Sequence, residues 1–158
     1  MRLDEMVVEV EEVLPGTPDA VWAVLTDVER LGGLGPENAR NAWHGPERGV
    51  GAVFWGTNAR GDREWTVPCT VTAWDPGRRF GYDVGDPASP SASWVCALEP
   101  VDGGTRVVQR FAHGPGPTFL RRAVDTHPER EEELVAGRAE ELAAGMRSVL
   151  RAVAGLLG

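Results

Sequence analysis

Five side chains capable of acid/base, nucleophilic or hydrogen-bonding chemistry occur in strand-like runs that are otherwise apolar or aromatic. They are a carboxamide, two thiols, the single tyrosine hydroxyl and an imidazole: Asn58, Cys69, Tyr82, Cys96 and His113. Histidine and tyrosine are common general acids and bases. The same groups also orient small molecules by hydrogen bonds in apolar pockets. Their types therefore indicate either a binding cavity or an acid/base enzyme.

Other kinds of catalysis are excluded or disfavoured by residue type. All 16 basic residues are arginine, which excludes a lysine Schiff base and a P-loop lysine. No nucleophile–base–carboxylate arrangement is recognisable. Neither Cys69 nor Cys96 has a histidine or arginine beside it in sequence that would lower its pKa. We therefore interpret the thiols as small apolar fillers rather than nucleophiles.

No metal site and no cofactor are expected. The sequence has no CxxC pair, and His44, His113 and His127 are scattered along it, so zinc-ligand spacing is missing. The acidic run at residues 129–133 suits the first turn of a helix, where negative charge complements the helix dipole. It is interpreted as a helix start rather than a metal site.

Length and charge limit the domain count and the partners. A chain of 158 residues predicts one domain, residues 1–158. The net charge of −8 disfavours nucleic acid and anionic membrane surfaces as partners. The first residues show no signal-peptide pattern, and no apolar run is long enough for membrane insertion. A cytoplasmic location is therefore expected, with the oligomeric state left open.

Hydrophobic periodicity predicts the elements that must position the five side chains. Alternation of apolar and acidic residues indicates a first strand at 6–13, and Pro15-Gly16 ends it. Thr17 and Pro18 then begin a short helix at 18–26, with a second at 27–31. Six further strands with short turns between them imply an antiparallel meander. They are predicted at residues 39–44, 50–58, 63–74, 79–84, 92–99 and 105–113.

A long helix at 129–156 follows one or two helical turns at 118–126. Its apolar positions form one continuous stripe: Val135, Ala139, Leu142, Met146, Val149, Val153 and Leu156. Segregated strands and helices indicate an α+β fold. A seven-stranded sheet can cover its inner face with one helix only by curling around it, which tends to leave space between them. Gly137 and Gly145 in this helix mark either close packing or room for a ligand.

Five segments in this order resemble the START-like (SRPBCC, or Bet v 1-like) superfamily, and in particular its polyketide cyclase/dehydrase-like branch. They are TPDAVWAVLTDVERL (17–31), GVGAVFWGTN (49–58), WTVPCTV (65–71), DPGRRFGYDV (75–84) and SWVCALEPVDGGTRV (93–107). The resemblance implies the helix-grip fold. Two departures stand out: Pro68 predicts a bulge or an unpaired segment inside a strand, and Cys96 replaces a larger aromatic residue, which would enlarge the cavity.

Strand alternation predicts which side chains face the helix. The inward set is apolar and aromatic, with Gln109 as a further polar group on the last strand. The predicted ligand-binding residues are Phe54, Asn58, Trp65, Cys69, Tyr82, Trp94, Cys96, His113, Leu142 and Met146. Alternatives remain open: Asn58 as a turn cap, Tyr82 as a core residue, His113 as a surface residue, and the aromatic residues as ordinary core.

Two functions follow from the resemblance and the inward set. The first is binding of a hydrophobic or aromatic small molecule between the sheet and the long helix. The alternative is a cofactor-free polyketide aromatase/cyclase or dehydratase that uses His113, Tyr82 and Asn58 as its polar groups. The meander also places Cys69 and Cys96 two strands apart, at roughly 10 Å, which is too far for a disulfide. Both thiols are expected to be reduced.

Overall fold

Seven strands form one curved antiparallel sheet in the computed structural model, which describes residues 1–158. Its order is β1-β7-β6-β5-β4-β3-β2, so the chain begins beside its last strand. This confirms the predicted α+β helix-grip architecture. The strands are β1 (Val7–Leu14), β2 (Asn38–Trp43), β3 (Val53–Arg60), β4 (Arg63–Asp75), β5 (Arg79–Val84), β6 (Ala92–Val101) and β7 (Gly104–His113).

Two short helices carry the chain from one edge of the sheet to the other. They are α1 (Pro18–Leu25) and α2 (Val28–Leu31). Thr17 caps α1 by accepting a hydrogen bond at 3.2 Å from the Ala20 backbone N–H, as its position before a proline predicts. From β2 the strands return by hairpins until β7 pairs with β1. After β7 come α3 (Phe119–Thr126) and the long α4 (Glu131–Leu157); short 3-10 turns precede β1 and α4.

The helix α4 packs mainly against β1, with contacts to α1 and α3. Val135 and Val153 are fully buried on it, and Leu142 and Met146 are at most 9% exposed. Leu150, which the predicted stripe omitted, is only 1% exposed. Ala139, Val149 and Leu156 are half-buried instead. The apolar face is therefore wider than a single stripe, as a helix lying across a curved sheet requires. None of the helices is both long enough and apolar enough to cross a membrane.

One prediction about β3 was wrong, and one of the two alternatives predicted for β4 was wrong. The strand β3 begins at Val53 rather than at residue 50, because Gly49 and Gly51 adopt φ values of 100° and 93° that turn the chain before it. Of the two alternatives predicted for Pro68, the bulge is not there, since the ladder with β3 runs through this residue without a shift, whereas the ladder with β5 begins only at Cys69 and leaves Pro68 without a paired residue on that side. The Pro68 carbonyl accepts a hydrogen bond from the Gly85 backbone N–H just beyond the end of β5. The backbone N and O atoms of one strand residue point the same way, so the nitrogen of Pro68 also points toward β5. The N–H that proline lacks therefore faces a position where β5 has already ended.

The register shift in β4 lies further on, between Val71 and Ala73 against β5. One consequence is that Trp74 sits opposite Phe80 and turns to the inner face of the sheet. There it packs edge-on against Trp22, with ring centroids 4.8 Å apart, and against Trp43 at 6.3 Å. All three tryptophans are half-buried, and they pack beside the buried apolar residues on the inner face of the sheet. The bulge, not the proline, changes the strand's alternation.

Candidate ligand cavity

A cavity of about 1040 Å³ separates the centre of the sheet from α4. The buried apolar residues form two clusters rather than one. The larger joins α1, α3 and α4 to β1, β6 and β7. The smaller lies mainly on β3, β4 and β5, with Val28 of α2 and no residue from α4. Because α4 rests on the β1 side, it does not cover these strands, and the space between them and α4 remains open. Its volume is at the upper end of small-molecule sites.

All ten sequence-predicted site residues line this cavity. Those from β3 to β7 follow the predicted alternation, because no register shift falls within the lining part of any of these strands. Leu142 and Met146 contribute the roof from α4. The ten are Phe54, Asn58, Trp65, Cys69, Tyr82, Trp94, Cys96, His113, Leu142 and Met146. The geometry brings them together around one space, and their binding of a ligand remains a prediction.

Several lining segments were not anticipated from the sequence. They are the α1–α2 region, the loop before β2 together with the start of β2, the β3–β4 hairpin, and the segment around α3. Only the β2 asparagines could have been noticed from the sequence, because Asn38 and Asn41 are polar residues in one short strand. Representative lining residues are Leu25, Val28, Pro36, Glu37, Asn38, Asn41, Arg60, Arg63, Phe119 and Arg138.

The floor of the cavity carries three titratable groups on neighbouring strands, none of them ionised at neutral pH. Burial raises the pKa of the Cys69 and Cys96 thiols to about 12. The pKa of Tyr82 is raised mainly by burial and secondarily by the nearby thiols. Both cysteines are free, with β5 between their strands. Thiols held in the protonated form are poor nucleophiles, consistent with their interpretation as fillers.

Gln109 is the polar residue of the floor contributed by β7. It lies directly opposite Cys96 in the β6–β7 ladder and lines the cavity. Its Oε1 atom is buried and accepts no hydrogen bond, the one side-chain oxygen or nitrogen of the protein in that state. Leaving a buried acceptor unpaired costs roughly 1–3 kcal/mol. A polar group in this state therefore invites a functional explanation.

Three asparagines form a hydrogen-bonded cluster on the β2–β3 wall. Asn38 and Asn41 exchange two hydrogen bonds, each 2.9 Å, from Nδ2 to Oδ1. Asn41 also donates to the Val28 carbonyl at 2.8 Å, which ties β2 to α2. Asn58 accepts a longer bond of 3.3 Å from Asn38. Asn58 thus joins a wall cluster rather than capping the β3–β4 turn, and its Nδ2 is left to donate to a ligand.

His113 lines the cavity, but both of its ring nitrogens already have protein partners. Its Nδ1 lies 2.7 Å from the Gly114 carbonyl, and its Nε2 lies 2.8 Å from the Thr118 hydroxyl. A carbonyl oxygen can only accept, so Nδ1 donates to Gly114, and Nε2 of the neutral ring accepts from the Thr118 hydroxyl, which itself accepts from the Arg121 backbone N–H at the start of α3. This assigns the proton to Nδ1. Burial is the main cause that lowers the pKa of His113. The imidazole therefore anchors the start of α3.

A network of four charged side chains stands where the cavity reaches the surface. Arg60 at the end of β3 and Arg138 on α4 both bind Glu37 and Glu141. Arg138 forms the better-defined pair, at 2.6 and 3.0 Å from the two Glu37 carboxylate oxygens. Both guanidinium groups also contact the Phe119 ring, at 4.5 and 4.8 Å from its centroid. Hydrogen bonding from Arg60 is the main cause that lowers the pKa of Glu141.

Residues 5–154 match the family described as polyketide cyclase/dehydrase and lipid transport. Solved structures with similar folds include a Polyketide_cyc-like protein from Corynebacterium glutamicum, with 25% identity and a TM-score of 0.66 over 97% of this chain and 91% of that one. Ara h 8.0201 is 19% identical with a TM-score of 0.54, over 86% and 98%. The di-domain ARO/CYC StfQ from the steffimycin biosynthetic pathway is 18% identical with a TM-score of 0.56, over 90% and 53%. None of the curated protein sequences matches the chain significantly.

Proposed function

The chain belongs to the polyketide cyclase/dehydrase and lipid transport family, and from this membership we propose that it binds a hydrophobic or aromatic small molecule between the sheet and α4. The observation that carries the proposal is the cavity of about 1040 Å³. Its walls combine aromatic side chains with a few fixed polar groups, the usual composition of a small-molecule site. The ten lining residues named above are the proposed contacts.

The charge states of the polar groups favour binding over catalysis. An aromatase/cyclase or dehydratase needs a side chain free to take up or release a proton near neutral pH. Both nitrogens of His113 are engaged by Gly114 and Thr118. The raised pKa of Tyr82 keeps its hydroxyl protonated. The Tyr82 hydroxyl can hold a ligand oxygen by a hydrogen bond without releasing its proton, which is sufficient for binding.

The proposed partner is an apolar small molecule, and its binding is expected to require no cofactor. A cytoplasmic location remains a prediction. The identity of the bound molecule is best approached by native mass spectrometry of the protein as purified. A ligand retained through purification would appear as a defined mass increment that denaturation removes.

A tryptophan titration tests the proposal directly. Trp65 and Trp94 line the cavity, whereas Trp55 on the outer face of β3 is 41% exposed. A fused-ring aromatic compound, a sterol and a fatty acid are titrated while tryptophan emission is recorded. We expect a saturable change with at least one of them, retained in Trp55→Phe and reduced in Trp94→Phe. No saturable response from any of the three compounds would overturn the proposal.

A further inference from the structure

The floor of the cavity contains two polar side chains that the protein itself does not satisfy. The Gln109 Oε1 atom is buried without a hydrogen-bond donor. The Tyr82 hydroxyl lies in the same lining, and hydrogen bonds are not among the causes that shift its pKa. Gln109 on β7 lies opposite Cys96 on β6, and Cys96 in turn lies opposite Phe80 on β5. Tyr82 is two residues further along β5. Two strand spacings and this offset put their Cα atoms roughly 12 Å apart, a span that a fused-ring ligand can bridge.

The orphaned carboxamide restricts the chemistry of what it can bind. With the carboxamide as it lies, only a donor pairs with Oε1, whereas a ketone or a carboxylate would pair only after the carboxamide flips. A hydroxyl both donates and accepts, and it fits the carboxamide in either of its two flipped orientations. An ammonium group also donates, but the floor offers no carboxylate to balance its charge: the lining acidic residues, Glu37, Glu64 and Glu141, pair with arginines at the mouth.

The floor also disfavours an anionic group on the ligand. The arginines of the lining lie at the mouth and on the hairpin and helices around it, not among the floor residues. The same burial that raises the pKa of both thiols would raise that of a ligand carboxyl placed beside them. A carboxylate inserted head-first would therefore lose its hydration without gaining a counter-charge.

We propose that the cavity floor recognises a hydroxyl group on an otherwise apolar, fused-ring ligand, with Gln109 as the residue that selects it and Tyr82 as a second hydrogen-bonding partner. This inference rests on the proposed function, because it names the ligand class for that same cavity. The inference also fixes the orientation of the bound ligand. Its hydroxylated end lies at the sheet, and its apolar body extends beneath α4 toward the charged mouth.

Three pyrene derivatives separate hydroxyl recognition from apolar binding. Pyrene, 1-hydroxypyrene and 1-pyrenecarboxylate are titrated at neutral pH into the wild-type protein and into Gln109→Leu, which keeps a similar volume without the carboxamide. We expect wild-type protein to prefer 1-hydroxypyrene and to bind the carboxylate least. In Gln109→Leu the affinity for 1-hydroxypyrene should fall about 2- to 12-fold, the effect of one neutral hydrogen bond, while that for pyrene stays unchanged.

Thermal unfolding of the same variant separates recognition from a structural role. Removing an unpaired buried acceptor should leave the melting temperature of Gln109→Leu unchanged or higher. Gln109→Met, with a flexible unbranched side chain, replaces it if the leucine variant does not fold. Equal affinity losses for pyrene and 1-hydroxypyrene, no loss for either, or a wild-type preference for the carboxylate would overturn the inference. If wild-type protein binds none of the three, the inference fails, and failure with the sterol and fatty acid as well rejects the proposed function.

Discussion

Cys69, Tyr82 and Cys96 share the inner face of three neighbouring strands, and their surroundings decide what they can do. Each is a weak acid whose charged form is disfavoured by burial, and neither an arginine nor a protonated histidine contributes to their pKa shifts. Residue type alone would allow a nucleophile and a general acid here. The low-polarity floor instead makes all three neutral contacts for a ligand.

The thiols provide a prediction at this scale. A pKa of about 12 for Cys69 and Cys96, against about 8.5 for a free thiol, lowers the thiolate fraction at pH 8 by about three orders of magnitude. We expect iodoacetamide to modify neither cysteine in the native protein but both in the denatured chain, as measured by mass spectrometry. Comparable rates in the two states would contradict the burial of the thiols.

The same shift has a defined effect on stability against pH. Because the folded thiols have a raised pKa, their contribution is fully present below the unfolded value of about 8.5. It is lost as pH rises from there toward about 12, since only the unfolded chain then ionises its thiols. The midpoint of urea unfolding should therefore fall over this interval, and less steeply in the Cys69→Ala/Cys96→Ala variant.

At the scale of elements, two of the three glycines in α4, Gly137 and Gly145, have opposite surroundings. A Cβ added at Gly145 would lie 3.3 Å from Pro36 Cγ, so this face of α4 is closely packed against the loop before β2. A Cβ added at Gly137 would meet no atom within 4 Å. Gly145 thus permits close packing of the loop, one of the two explanations offered from sequence, whereas Gly137 is exposed and does not line the cavity.

Alanine substitutions at these two glycines form a matched pair. Gly137→Ala should raise the free energy of unfolding by up to about 1 kcal/mol, because it removes a helix-interior glycine without a clash. Gly145→Ala should gain less or lose stability, since the ring of Pro36 must move aside. Denaturant unfolding of both variants provides the comparison. Equal stabilisation by the two substitutions would show that the Pro36 contact is easily relieved.

At the scale of the whole molecule, the charged network joins parts of the chain that are far apart in sequence. Glu37 precedes β2, Arg60 ends β3, and Arg138 and Glu141 belong to α4, while Phe119 adds α3. The network thus closes the space between the hairpin and the helix at the cavity mouth. Arg60 and Glu141 are 43% and 44% exposed, so water and salt weaken their attraction.

Glu141→Gln tests the network through pH and ligand exchange. The pKa of Glu141 is lowered in the folded protein, so its stabilisation is present above the unfolded value of about 4.3 and is lost as pH falls through the lower folded value. At pH 7 we expect a loss of at most about 1 kcal/mol, and no difference from wild type at a pH below the folded value. Ligand dissociation, followed by stopped-flow fluorescence, should be faster in the variant.

Glu133→Gln is the control for that experiment. Glu133 forms an ion pair with Arg130, three residues earlier in the chain. Hydrogen bonding from Arg130 is the main cause that lowers the pKa of Glu133. It does not line the cavity. Ligand dissociation should therefore be unchanged in this variant. Equal acceleration in both variants would mean that general charge, rather than the mouth network, governs exchange.

Local periodicity in the sequence determined the strands, the long helix and the inward positions from β3 to β7. Alternation and helical spacing depend only on residues a few places apart, so all ten predicted lining residues meet at one cavity. The helical spacing of apolar residues likewise predicted the buried face of α4, which carries Val135, Leu142, Met146 and Val153. The segregation of strands and helices along the chain indicated the α+β fold, and the order of its motifs indicated its family.

Only the tertiary structure decided the features that depend on residues distant in sequence. The register shift after Val71 turned Trp74 inward, because a bulge arises from pairing with β5 rather than from the strand's own residues. Glu37 and Arg138 are 101 positions apart and meet only when α4 lies across the mouth. The unpaired state of Gln109 is likewise a matter of what surrounds it. Sequence patterns encode which way a side chain points; the partners it finds there are set by how the sheet curves and where the helix rests.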